Sequence, residues 1–168
     1  MIVLLDAGPL GLVTNPNTKD ENVVQATQWL MSLLDNSISV CVPEISYYEV
    51  RRELVRAGKT KGLKRLEQLI KAQNIRYLPI TTEIIIKASE LWATSRQSGR
   101  ITAPDTALDG DVILSATALS LPIIENTVIA TTNTKHLAWF TNAKEWLEVT
   151  ADYCLEESRK VSLSVEVK

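Results

Sequence analysis

The sequence predicts an α/β fold: a mainly parallel sheet with helices on both faces. Three observations predict it. Runs such as Ile2 to Leu5 and Thr127 to Thr131 are apolar or β-branched along their length, as strands buried on both faces are. Stretches of helical periodicity lie between such runs, so strands and helices alternate almost throughout. Each run also ends at polar residues, Asp6 in one case and Thr132-Asn133 in the other. Polar groups that follow strands gather at the carboxyl edge of such a sheet, where α/β proteins keep their sites.

The first strand stops at Asp6, and Ala7-Gly8-Pro9 turns into a short helix. Two readings of Asp6 stand: a cap for that helix, or a carboxylate delivered to the sheet edge. Asp20 and Glu21 open the next helix, with Val23, Thr27, Leu30 and Leu34 as its core face. A second strand is expected over Ser37 to Val42. Pro43 then starts a helix on which Glu49 lies beyond any capping position, either as a solvated acid or as a site residue. Ala57-Gly58 breaks it, and a further helix over about Lys59 to Gln73 completes a hairpin.

A third strand spans Ile75 to Ile80. Thr81-Thr82-Glu83 caps a long helix whose core positions read as Ile85, Ala88, Leu91 or Trp92, and Ser95. The stretch from Asp105 to His136 follows. Leu108, Val112, Ser115 and Leu119 recur at helical spacing, and the helix is expected to start near Asp109, with Asp109 as its N-cap and Asp111 in its first turn. Thr127 to Thr131 is the fourth strand. Thr141 to Trp146 reads as a short helical piece and Leu147 to Thr150 as a last strand. Residues 151–168 form an extension in which Ser162 to Val167 alternates; an edge strand, an oligomer contact and disorder all fit it.

Bulk properties narrow the class. At 168 residues, 45 % hydrophobic and 23 % charged, the chain suits one soluble domain with a core of its own. Two distant cysteines, Cys41 and Cys154, favour a reduced compartment, and with no signal peptide or membrane span in the sequence a cytoplasmic protein is expected. The formal net charge is −2, yet residues 51–76 hold nine of the 18 basic residues against two acids, a local charge of +7. Arg51, Arg52, Arg56, Lys59, Lys64 and Arg65 lie in this segment. They read either as a contact for phosphates or an acidic partner, or as a solvated helical face.

Four elements can bring polar groups to one edge: Asp6, Glu49, Asp109 or Asp111, and Thr132-Asn133. Converging carboxylates repel one another and lose hydration, which a bound cation relieves. Oxygen ligands favour Mg²⁺ or Mn²⁺ over zinc, and a single histidine, His136, excludes a multi-histidine zinc site. Such a site suits phosphodiester hydrolysis. A haloacid dehalogenase-type phosphatase wants a second Asp where Gly8 stands, and no Gly-x-Gly-x-x-Gly follows the first strand.

The segments Leu4-Leu5-Asp6-Ala7-Gly8-Pro9-Leu10, Glu49-Val50-Arg51-Arg52-Glu53, Asp111 to Leu119 and Ala130 to Leu137 resemble, in order, the PIN domain, and within it the VapC-type toxins. The resemblance covers residues 1–150, which are expected to form one PIN-like nuclease domain. It implies a three-layer α/β/α fold with a protruding helical hairpin, metal-dependent ribonuclease activity, a homodimer and a small antitoxin partner. It also implies that Asp6, Glu49 and Asp111 bind metal and that Thr132 supplies a site hydroxyl. Asn133 departs from the pattern, since the family usually carries an acid there. Asp109 is then either a compensating ligand or a plain cap. A non-catalytic RNA- or protein-binding module of the same fold is the alternative.

Overall fold

A computed structural model describes residues 1–104 and 108–166. Asp105 therefore lies outside the described residues. The elements run β1 (Ile2–Leu5), α1 (Ala7–Thr14), α2 (Glu21–Asp35), β2 (Ser39–Pro43), α3 (Glu44–Arg56), α4 (Thr60–Leu69), β3 (Ile75–Leu78), α5 (Thr82–Gln97), α6 (Gly110–Leu119), β4 (Thr127–Thr131), α7 (Thr134–Leu137), β5 (Ala143–Glu145) and α8 (Ala151–Glu166). The five strands form one sheet in the order β3-β2-β1-β4-β5, and every pairing is parallel.

Strand alternation divides the core in two. Val3 and Leu5, Val40 and Val42, and Val128 and Ala130 point to one face, where residues of α1, α2, α3, α4 and α8 cover them. Leu4, Cys41 and Ile129 point to the other, against Ile45 of α3 and residues of α5, α6 and α7. Helices on both faces of a parallel sheet give the three layers expected of the chain. The strand order reverses at β1, which has β2 on one side and β4 on the other. That reversal opens the crevice at the carboxyl ends of β1 and β4 in which sheets of this kind bind ligands.

The α3–α4 hairpin turns at Gly58, whose φ of 63° lies in the left-handed region that glycine adopts without strain. Trp29 of α2 anchors the first core: its ring meets Trp146 edge-on at 5.3 Å and its Nε1 donates to the Val149 carbonyl at 2.8 Å. Cys41 and Cys154 are buried free thiols. Among the described residues, no helix is long and apolar enough to cross a membrane.

Several expectations need correction. The last strand is Ala143–Glu145, with a 3-10 turn at Trp146–Glu148, where the sequence predicts a helical piece and then a strand. Pairing with β4 overrides the helical preference of Ala-Lys-Glu. The extension, for which the sequence leaves an edge strand, an oligomer contact and disorder open, is the helix α8, although Val167 and Lys168 lie outside the described residues. Its Ala151 and Cys154 share one helical face, and that face is buried in the first core. On α2 the buried face is Val23, Ala26, Trp29, Leu30 and Leu33, rotated from the expected one so that Trp29 meets Trp146. On α5, Ile84 is buried and Ile85 is 45 % exposed, because three successive isoleucines leave the phase of the helix undetermined. Leu108 precedes α6 and is 59 % exposed.

Candidate active site

Asp6 combines both of its readings. It is the N-cap of α1, with Oδ1 accepting from the Ala7 N–H at 2.6 Å, and it stands at the carboxyl end of β1. Its Oδ2 accepts from the Thr131 hydroxyl at 2.7 Å. Strand register explains this contact: Leu5 pairs with Ala130, so the next residue of each strand meets across the crevice. Thr131 Oγ1 also accepts the Asn133 N–H at 2.9 Å, which fixes the hydroxyl in place. Burial raises the Asp6 carboxyl above its usual range, and the donors Thr131 and Ala7 partly oppose this.

Glu49 approaches from α3. Its carboxylate lies against the first residue of α6: a Cβ on Gly110 would fall 2.5 Å from Glu49 Oε1. Only a residue without a side chain leaves room for the carboxylate there. Burial raises the Glu49 carboxyl, the Asp6 charge raises it further, Arg52 opposes, and Asp111 adds to the rise. Asp111, in the first turn of α6, is likewise raised by burial; a hydrogen bond with His136 opposes, and the charge of Asp6 adds to the rise. The charge of Asp6 thus raises both Glu49 and Asp111, and that of Asp111 raises Glu49, although the three come from separate elements.

His136 Nδ1 lies 3.2 Å from Asp111 Oδ2. The sequence points to His136 only weakly, through its position one helical turn after Asn133. The sequence singles out Thr132, and the hydroxyl that reaches Asp6 is that of its neighbour Thr131; the strand register is the signal that separates them. Thr132 is exposed and packs beside Gly8, where a Cβ would overlap its side chain.

The remaining candidates have other engagements. Asp109 is 7 % exposed and is the N-cap of α6, as the sequence predicts. Its Oδ1 accepts from the Val112 N–H and its Oδ2 from the Thr102 hydroxyl. Asn133 caps α7, accepting from the Lys135 N–H at 3.4 Å, and is exposed.

Among the described residues, no three His, Cys, Asp or Glu side chains already close to metal-binding spacing. The donor set nevertheless suits a hard cation: carboxylates from three elements at one sheet edge, with the Thr131 hydroxyl on Asp6. Ser46, one turn before Glu49 on α3, and Ser115, one turn after Asp111 on α6, each bury a hydroxyl oxygen with no protein partner. Orphaned buried oxygens of this kind call for a water or an ion.

A groove of about 550 Å³ leads from Gly8 and Glu49 along α3 to Arg52, Arg56 and Lys59. Within the basic segment, Arg56 pairs with Glu53 at 2.6 Å, Arg51 stands 4.0 Å from Glu67, and Arg52 lies over the Tyr48 ring at 5.4 Å. Arg65 donates to the Asn15 carbonyl. Lys59 and Lys64, with no ion pair among the described residues, extend the positive face.

The fold and this edge define a parallel α/β protein with an acidic crevice at its topological switch point. The PIN domain model matches residues 5–138, and the chain belongs to that family. Similar folds occur in VapBC2 from Rickettsia felis bound to a promoter DNA fragment (TM-score 0.65, 17 % identity, covering 87 % of this chain and 99 % of that one). They also occur in VapBC-1 from nontypeable Haemophilus influenzae (0.61, 20 %, 88 % and 99 %) and in FitAcB from Neisseria gonorrhoeae (0.60, 19 %, 88 % and 99 %). A search of curated protein sequences returned no match.

Proposed function

We propose that this chain is an endoribonuclease dependent on Mg²⁺ or Mn²⁺, and the toxin of a toxin–antitoxin pair in the cytoplasm. The observation that carries the reading is the delivery of Asp6 from the end of β1, Glu49 from α3 and Asp111 from the first turn of α6 to the switch point of the sheet, with Glu49 seated against Gly110. Like charges are gathered there at a cost that a cation offsets. Asp6, Glu49 and Asp111 would hold that cation; both oxygens of Asp109 serve as cap and loop acceptors. A bound divalent ion supplies Lewis acidity and lowers the pKa of a water.

The chain's own residues do the rest. Thr131 holds Asp6 by its hydroxyl, and His136 holds Asp111 through Nδ1. Glu49, seated against Gly110 at the start of α6, would accept the proton of the attacking water at a carboxylate oxygen that does not hold the cation. The basic hairpin holds phosphates on the flanking nucleotides, positioning the strand without reading its sequence. The same groove, lined by Arg52, Arg56 and Lys59, fits an acidic segment of an antitoxin, in keeping with the VapBC neighbours. A second copy of the chain would cover the apolar groove between α5 and α6, which includes Ile85 and Leu108.

The test is cleavage of single-stranded RNA over a titration of Mg²⁺ and Mn²⁺, with Asp6→Asn and Asp111→Asn alongside. Metal-dependent cleavage lost in both variants is expected. Absence of cleavage at every metal concentration would falsify the enzyme and leave a non-catalytic binding module, the reading that the uncharged Asn133 favours.

A further inference from the structure

The chain has four tryptophans, and three have structural occupations. Trp29 and Trp146 are buried against each other. Trp92 packs on the second core and carries the Arg96 guanidinium 4.4 Å from its ring centroid. Among the described residues, Trp139 belongs to neither core cluster. Its ring lies partly exposed against His136, with centroids 5.1 Å apart and planes tilted by 40°. His136 is in turn tied to Asp111. The turn that follows α7 holds the two residues together, with the Trp139 N–H donating to the His136 carbonyl at 3.1 Å.

We propose that Trp139 and His136 form a nucleobase-stacking subsite that takes an unpaired RNA base beside the scissile phosphate. The inference rests on the ribonuclease reading above. A large indole outside the core but tied through His136 to a candidate catalytic acid is well placed for a planar ligand at the site. Aromatic faces of this kind stack on bases, and the base must be unpaired to be reached. The substrate class is therefore single-stranded or looped RNA. The subsite tolerates different bases, because every base offers a π face.

Binding is measured by fluorescence anisotropy with short homopolymeric oligoribonucleotides and Asp6→Asn protein, which is expected to hold RNA without cutting it. Trp139→Ala is expected to weaken binding by about five- to one-hundredfold, and Trp139→Phe to restore most of the loss. An abasic nucleotide placed at successive positions should cost a similar factor at one position, and nothing further there in Trp139→Ala. Quenching of Trp139 emission on RNA binding, taken as the difference from Trp139→Phe, reads the same contact without removing a ring. Equal affinity of the Ala variant and its parent, or absence of that quenching, overturns the subsite. If the unsubstituted protein cleaves no RNA at any metal concentration, the ribonuclease reading falls and the subsite with it.

Discussion

Gly110→Ala tests the geometry of the crevice with one carbon atom. Gly110 opens α6 beneath Glu49, where a Cβ would stand 2.5 Å from Oε1 and 3.1 Å from Cδ. Restoring an ordinary contact of 3.4 Å requires the carboxylate oxygen to withdraw by roughly 0.9 Å. Gly110 is not among the positive-φ glycines, so alanine fits the backbone. Replacing glycine at a compatible position stabilises by about 0.4–1 kcal/mol through the unfolded chain. The end of a flexible Glu side chain also yields cheaply. Tm is therefore expected to change by no more than about 4 °C. Activity responds differently, since displacing a reacting group by about 1 Å can cost on the order of a hundredfold. The assay pairs thermal unfolding with initial rates of RNA cleavage. Full cleavage activity in a folded Gly110→Ala protein would refute the placement of Glu49 in the chemistry.

Three further outcomes are expected. Asp6, Glu49 and Asp111 have carboxyls raised in the folded chain, so the native state binds protons more readily than the unfolded one, and these groups cost stability as pH rises through their folded pKa values. Glu49→Gln should accordingly raise Tm at pH 7 and abolish cleavage, with the Tm gain vanishing below the ordinary carboxylate range; a gain that persists in acid contradicts the electrostatic account. Trp29→Ala should destabilise by about 3–5 kcal/mol in urea unfolding, from the loss of a large buried ring packed on Trp146 and bonded to Val149. Neutralising Lys59 and Lys64 should weaken RNA binding for every sequence and lower the slope of log affinity against log salt by about 0.7 per cation, as measured by anisotropy; an unchanged slope places RNA elsewhere.

Much of this architecture is legible in the sequence because it depends on local pattern. The runs at Ile2–Leu5 and Thr127–Thr131 mark their strands to the residue, since burial on both faces leaves no ambiguity of period. Asp109 declares the start of α6 through capping chemistry alone. Legibility fails where distant partners decide. Nothing local in Ala143-Lys144-Glu145 indicates a strand; its pairing with Ile129, Ala130 and Thr131 does. The facing of α2 depends on Trp146, more than a hundred residues away. At the candidate site, Asp6, Glu49 and Asp111 stand out as acids following strands or lying beyond caps. Thr131 and His136 do not, because their importance lies in which carboxylate they touch. Gly8 and Gly110 are similarly silent until the side chains opposite them are known.

The central position of β1 also bears on synthesis. Ile2 pairs with Ser39 on one side and with Thr127 on the other. β1 is synthesised well before β4 and must therefore wait for it before its second edge is covered. Such distant pairing is slow to form. Ribosome-held chains stopped after Leu119 would contain Asp6, Glu49 and Asp111 but not Thr131, and should cleave no RNA. In a chain of this topology the sheet edge that carries Asp6 is completed only once β4 has been released.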